Sequence, residues 1–144
     1  GLTSLNLSNF NTSNVKDMSS MFSNCSGLTS LDVSGFNTTK LTSMSYMFNY
    51  CSGLTSLDLS SFDTSNVTIM YMLFYNCSSL KTIYVNSEKW NTSYNSSYMF
   101  SNCTSLVGGA GTIYNSTKPD KTYARIDGGE SAPGYFTDIS QKSV

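Results

Sequence analysis

The chain has 144 residues, the size of one domain, and is 39% hydrophobic but only 12% charged, with a formal net charge of −1; globular proteins usually carry about 25% charged residues. Its polar surface is built instead from 28 Ser, 16 Thr and 14 Asn, and without basic clusters it indicates neither a nucleic acid nor an anionic membrane surface as partner. The longest apolar run, "IMYMLFY" from Ile69 to Tyr75, falls far short of the roughly 18 to 20 residues that span a bilayer, so no direct membrane insertion is expected.

From Leu2 onward the chain repeats itself every 26 residues, in units 2–27, 28–53, 54–79 and 80–105. "CSGLTSLDVSGF" (Cys25 to Phe36) and "CSGLTSLDLSSF" (Cys51 to Phe62) differ at two positions only. The shift aligns Leu2, Leu28, Leu54 and Leu80, then Leu5, Leu31, Leu57 and Ile83, then Phe22, Phe48, Phe74 and Phe100, and also Cys25, Cys51, Cys77 and Cys103. A period of this length is the signature of a stack in which each unit buries its apolar face on a copy of itself. Gly1 supplies no polar cap for the first layer, so the chain reads as an excerpt from a longer protein.

Within a unit, "LTSLDLS" ends in the alternation of a half-buried strand. Val15, Met18, Phe22 and Cys25 follow at spacings of 3, 4 and 3, which predicts a helix with one apolar face. "NTSN", "NTTK" and "DTSN" precede it with the side chains that cap free helix N–H groups. Strand, turn and capped helix make an α/β coil, and since helices are wider than strands the stack is expected to curve with its strands on the inner face. In the fourth unit Glu88, Ser93 and Ser96 replace apolar columns, and Trp90 is expected to swing into the volume that Phe leaves. After Leu106, Gly and Pro punctuate the short apolar pieces "TIY", "TYARI" and "GYF". Residues 106–136 are therefore read as a β-rich C-terminal cap and 137–144 as a tail or linker.

The strand region resembles the leucine-rich repeat, L-x-x-L-x-L-x-x-N/C, with Phe10, Phe36 and Phe62 at the usual Asn or Cys position and Asn11, Asn37 and Asp63 one place later. "LTSLDLSSFDTSNV" with the following "MF" and "NCS" is similar to the 26-residue repeat of BspA-like leucine-rich-repeat surface proteins. "TYARIDGGESAPGYFT", Thr122 to Thr137, resembles the segment that ends such arrays. The resemblance implies a leucine-rich-repeat-like solenoid and a secreted or wall-attached bacterial surface protein used in adhesion or other recognition of a host or neighbouring cell.

The four cysteines fall in one column and are expected to be reduced, buried and stacked rather than bridged. With no His and no CxxC pair, no zinc site is indicated, and no cofactor. Asp32 and Asp58 share a strand column with Asn6 and Tyr84; two adjacent carboxylates are too few for a calcium site. No His and no G-x-S-x-G turn stand ready to activate any of the serines, so no enzymatic activity is expected. What remains is a recognition or adhesion module that meets a protein or glycan ligand on exposed strand ladders, Thr29, Thr55 and Lys81 beside Asn6, Asp32, Asp58 and Tyr84. A second candidate surface lies on the helical face at Tyr46, Met72 and Tyr98, with Tyr50 one turn beyond Tyr46 and Tyr71 and Tyr75 as another i, i+4 pair. A structural spacer is the alternative, and a carbohydrate-binding module the third.

Overall fold

The structure, a computed structural model, describes residues 2–93 and 95–142. Each coil lies on the next, and the two are tied by backbone hydrogen bonds between residues 25 or 26 apart. On one flank the N–H groups of Thr29, Lys81 and Val107 donate to the carbonyls of Thr3, Thr55 and Lys81. Pairing is most regular where β1 (Ser56–Asp58) runs parallel to β2 (Thr82–Val85), with Leu57 opposite Ile83. A second line of parallel contacts joins Asp17, Ser43, Ile69 and Asn95.

The α/β strand-turn-helix expectation is overturned: among the described residues there is no α-helix, only three short strands in one sheet and 3-10 turns. The stretch read as a helix is instead a run of four-residue turns. Met21 N–H donates to Met18 O, Ser23 N–H to Ser20 O and Cys25 N–H to Phe22 O, at 3.1 to 3.2 Å. Ser20 and Asn24 have φ of 62° and 63°, the left-handed third residue that a type II turn requires. Tyr46 and Tyr50, Met72 and Asn76, and Tyr98 and Asn102 repeat this geometry in the later coils. The turns leave alternate N–H groups directed along the stack, so Met18, Ser20, Phe22 and Asn24 donate to Ser43, Ser45, Met47 and Asn49 of the next coil. A helix would have consumed the same donors within itself.

The apolar spacing fits both structures. Met44, Met47, Phe48 and Cys51 are all fully buried at spacings of 3, 1 and 3, and two consecutive four-residue turns present that pattern as well as a helix does. The curvature expected of helix-backed strands loses its cause, because both flanks are ladders of single backbone segments.

Stacking of identical positions builds the core. Phe22, Phe48, Phe74 and Phe100 lie ring over ring at 5.6 to 5.9 Å with interplanar angles of 6 to 15°. Cys51, Cys77 and Cys103 are buried, and each thiol donates to a carbonyl of the coil before it, Phe22, Phe48 and Phe74, at 3.1, 3.0 and 2.9 Å. Burial pushes the Cys51 and Cys103 thiols up to about 12 and raises Cys77 further. Cys25, in the first coil, is only half-buried. All four cysteines are free.

Between coils, buried threonines act as clasps. Thr38 Oγ1 donates to the carbonyl of Asp63 at 3.0 Å and accepts from its N–H at 2.8 Å. Thr12 does the same to Asn37, and Thr64 to Asn91. The last pairing exposes a local slip of register: Asn91, not Lys89, answers Asp63, because Lys89 and Trp90 both donate to Asn86 O in a widened turn. Trp90 therefore stands directly before the clasped residue, as Phe36 and Phe62 do, while Glu88 is exposed. The 26-residue spacing returns at Asn95, bridged to Ile69.

Beyond Leu106 the chain closes the last layer. A hairpin brings Val107 beside Ile113, and β3 (Phe136–Asp138) joins β2 in parallel with Phe136 opposite Ile83, so Phe136 continues the column of Leu57. Tyr135 is fully buried; its ring meets Phe100 edge-on at 4.9 Å, and its hydroxyl donates to the carbonyls of Lys118 or Asn115 and accepts from Asn115 N–H. Asp127 ties the cap together. Its carboxylate accepts from the N–H groups of Ala110, Thr112, Gly129 and Gly134 and from the Thr112 hydroxyl. Burial opposes its ionisation, yet these donors win and hold it at about 2. Of the segment read as a tail, Thr137 and Asp138 belong to β3, Ile139–Gln141 form a 3-10 turn and Lys142 folds back over the strands; residues 143 and 144 lie outside the described residues.

Candidate functional site

Two surfaces carry the residues singled out from the sequence. The first is the strand flank. Asn6, Asp32 and Asp58 each accept from the N–H two residues on, Ser8, Ser34 and Ser60, at 2.9 to 3.1 Å. These are local side-chain turns that let the backbone bend after the strand. The Ser34 hydroxyl and N–H hold Asp32 below the usual carboxylate range. For Asp58 burial works the other way, but Lys142 and Ser60 together outweigh it and its pKa is lowered.

Lys142 was invisible as a site residue in the sequence. Its Nζ lies 2.8 Å from Asp58 Oδ2 and 5.3 Å from the centre of the Tyr84 ring. Lys142 thus lies over the strand face and, with Thr29, Ser30, Asp32, Ser56 and Asp58, lines a groove of about 370 Å³. Within that groove Asp32 accepts from Ser34 and Asp58 pairs with the lysine. Thr55 and Lys81 are exposed and contribute ladder bonds through their backbones, Lys81 N–H to Thr55 O. Tyr84 is half-buried under Lys142. Among the described residues no three metal-ligating side chains cluster, and no helix is long and apolar enough to cross a membrane.

The second surface is the turn flank. Tyr98 is 56% exposed, while Tyr46 and Met72 are half-buried. The i, i+4 tyrosine pairs expected of a helix do not form. Instead the rings meet across coils, Tyr46 with Tyr71 at 5.8 Å and Tyr50 with Tyr75 at 5.6 Å, both edge to face. Tyr50 and Tyr71 remain well exposed, as does Met21 nearby in the first coil. Four of these large side chains, on Tyr46, Tyr50, Met72 and Tyr98, stand on left-handed backbone. A non-glycine residue there costs about 1 to 2 kcal/mol, least for Asn. Asn24, Asn76 and Asn102 show what the turn itself favours, and that column of asparagines was the sequence signal for left-handed turns.

No curated protein and no solved structure matches the chain. Residues 2–111, which take in all four coils and the opening hairpin residues of the cap, match a family described as Mycoplasma protein of unknown function. The chain belongs to that family, DUF285.

Proposed function

We propose that this protein is a non-enzymatic recognition module that works at a cell surface and meets a macromolecular ligand on the aromatic turn flank. The observation that carries the reading is the cost of that flank. A scaffold would be better served by Asn or Gly at the left-handed positions, yet Tyr46, Tyr50, Met72 and Tyr98 stand there. The turn needs the left-handed backbone but not a large side chain on it, and strain kept in that way points to function. Tyr is also a residue type that carries large shares of binding energy at interfaces. The flank carries few charges and is periodic, so affinity there is a sum of modest contacts along several coils rather than the work of one deep cavity. The resemblance to BspA-like surface proteins supports an extracellular, adhesive setting.

The test is a screen of the immobilised protein against extracellular-matrix proteins and a glycan array, followed by Tyr46→Asn with Tyr98→Asn. These changes keep a residue that tolerates the left-handed turn, so the expected outcome is lost binding at unchanged melting temperature. Asp58→Ala with Tyr84→Ala on the strand flank is expected to leave binding intact. Binding that survives the first pair and fails in the second assigns the strand ladders instead. Silence across the whole screen at high protein concentration favours a spacer.

A further inference from the structure

The single tryptophan and the single arginine of the chain, Trp90 and Arg125, line the same hollow, where the fourth coil meets the cap. Over the Phe100 ring the cap lays the fully buried Tyr135, edge-on at 4.9 Å. Trp90 stands before the clasped Asn91 as Phe36 and Phe62 stand before Asn37 and Asp63. There the cap brings the smaller Ala124 and Ile126 instead, and a hollow of about 280 Å³ is left, with Val85, Trp90, Ala124, Ile126 and Phe136 as its apolar lining.

The indole is fixed in this lining. Its N–H donates to Thr92 Oγ1 at 2.9 Å, that hydroxyl donates on to Ala124 O at 2.8 Å, and the ring meets Phe136 edge to face at 5.2 Å. The indole and hydroxyl protons are thereby spent. Arg125 is exposed and is the only charged residue of the lining. Its Nε donates to Pro133 O at 2.8 Å, and Gly134 lets the chain pass close to its stem, since a Cβ there would lie 3.0 Å from Arg125 Cγ. Among the described residues the two terminal guanidinium nitrogens meet no carboxylate and no carbonyl. A guanidinium oriented by its Nε and open at its end matches a carboxylate through two parallel hydrogen bonds.

We propose that this hollow receives the C-terminal residue of a peptide chain, with an apolar side chain against Trp90 and the terminal carboxylate on Arg125. Size selects one residue, because the space lies just under the roughly 300 to 1,000 Å³ of sites that take whole small molecules. A sugar would turn its hydroxyls to a lining whose own protons are spent, and polar groups left unpaired there are costly. A free amino acid would bring an ammonium beside Arg125 with no acidic residue in the lining to receive it. The last residue of a peptide carries an amide N–H at that place instead, and the side chain of Asn91, also in the lining, supplies an acceptor for it. Trp and Arg are residue types that carry large shares of binding energy at interfaces. The site shares no residue with the aromatic turn flank and stands or falls apart from it.

The tryptophan reports on its own site. The intact protein is titrated with the acetylated tripeptide Gly-Gly-Leu bearing a free carboxylate, followed by tryptophan emission and by the one indole N–H signal in NMR. The expected result is a saturable shift of both. The C-terminal amide of the same peptide, and the same tripeptide ending in Gly, are each expected to bind about tenfold or more weakly. Arg125→Gln is expected to weaken the acid peptide by a similar factor at unchanged melting temperature, with Arg125→Lys in between. No saturable shift at millimolar peptide, equal binding of acid and amide, undiminished binding by Arg125→Gln, or tighter binding of free leucine or galacturonate than of the acid peptide overturns the proposal. The comparison of acid with amide is made on the unaltered protein, so it decides the matter even where a variant is unstable.

Discussion

Replacing Thr38 by Val tests whether the coils are held by hydroxyl clasps or by apolar stacking alone. Thr38 is 1% exposed, and its one oxygen serves both backbone groups of Asp63, donating at 3.0 Å and accepting at 2.8 Å. Valine keeps the shape, so no cavity opens; the loss is confined to the two hydrogen bonds. An interior N–H left without a partner costs about 1 to 3 kcal/mol, and the lost bond to the carbonyl adds about 1, for a total of roughly 2 to 4 kcal/mol. Against a typical stability of about 5 to 15 kcal/mol that is a large fraction. For a chain of this size it corresponds to a fall in melting temperature of about 6 to 15 °C. Thr38→Ser keeps the clasp and gives up only a methyl group, about 0.8 kcal/mol. Thermal and urea unfolding of the two variants beside the parent decide the matter. A valine variant that melts within about 2 °C of the parent, or a serine variant as unstable as the valine one, refutes the clasp.

Three further outcomes follow from the cap. Asp127 is held at about 2 in the folded chain against an ordinary 3.8, so the stability it contributes is complete above about pH 4 and is lost as pH falls toward 2; Asp127→Asn lowers stability at pH 7 and flattens that dependence in urea melts at pH 2, 3 and 5. Gly108→Ala puts a methyl group into Gly134 O and the Asp127 carboxylate, and is expected to cost about 1 to 3 kcal/mol by denaturant unfolding, whereas Ala at Gly35, which has open space, leaves the midpoint unchanged. Lys142→Ala removes an exposed ion pair with Asp58; loss of less than about 1 kcal/mol is expected, measured as a melting shift that high salt also produces.

What the amino-acid order determined by itself was the period. Leu28, Leu54 and Leu80, or Phe48, Phe74 and Phe100, recur at one spacing because each packs on its own copy, and repetition in space is legible as repetition in sequence. The tertiary structure alone decided how the chain runs between those columns. Met44, Met47, Phe48 and Cys51 fit a helix or paired four-residue turns equally well, and the choice went to turns because the neighbouring coil supplies carbonyls to their N–H groups. That partner lies 25 residues away and has no local signature. The same holds for the rest: the slip at Asn86 that carries Trp90 into the place expected of it, the entry of Phe136 into the column of Leu57 from the cap, and the reach of Lys142 to Asp58 from 84 residues on. Each is a contact between distant segments whose local sequence is compatible with several conformations, so only the assembled stack selects one.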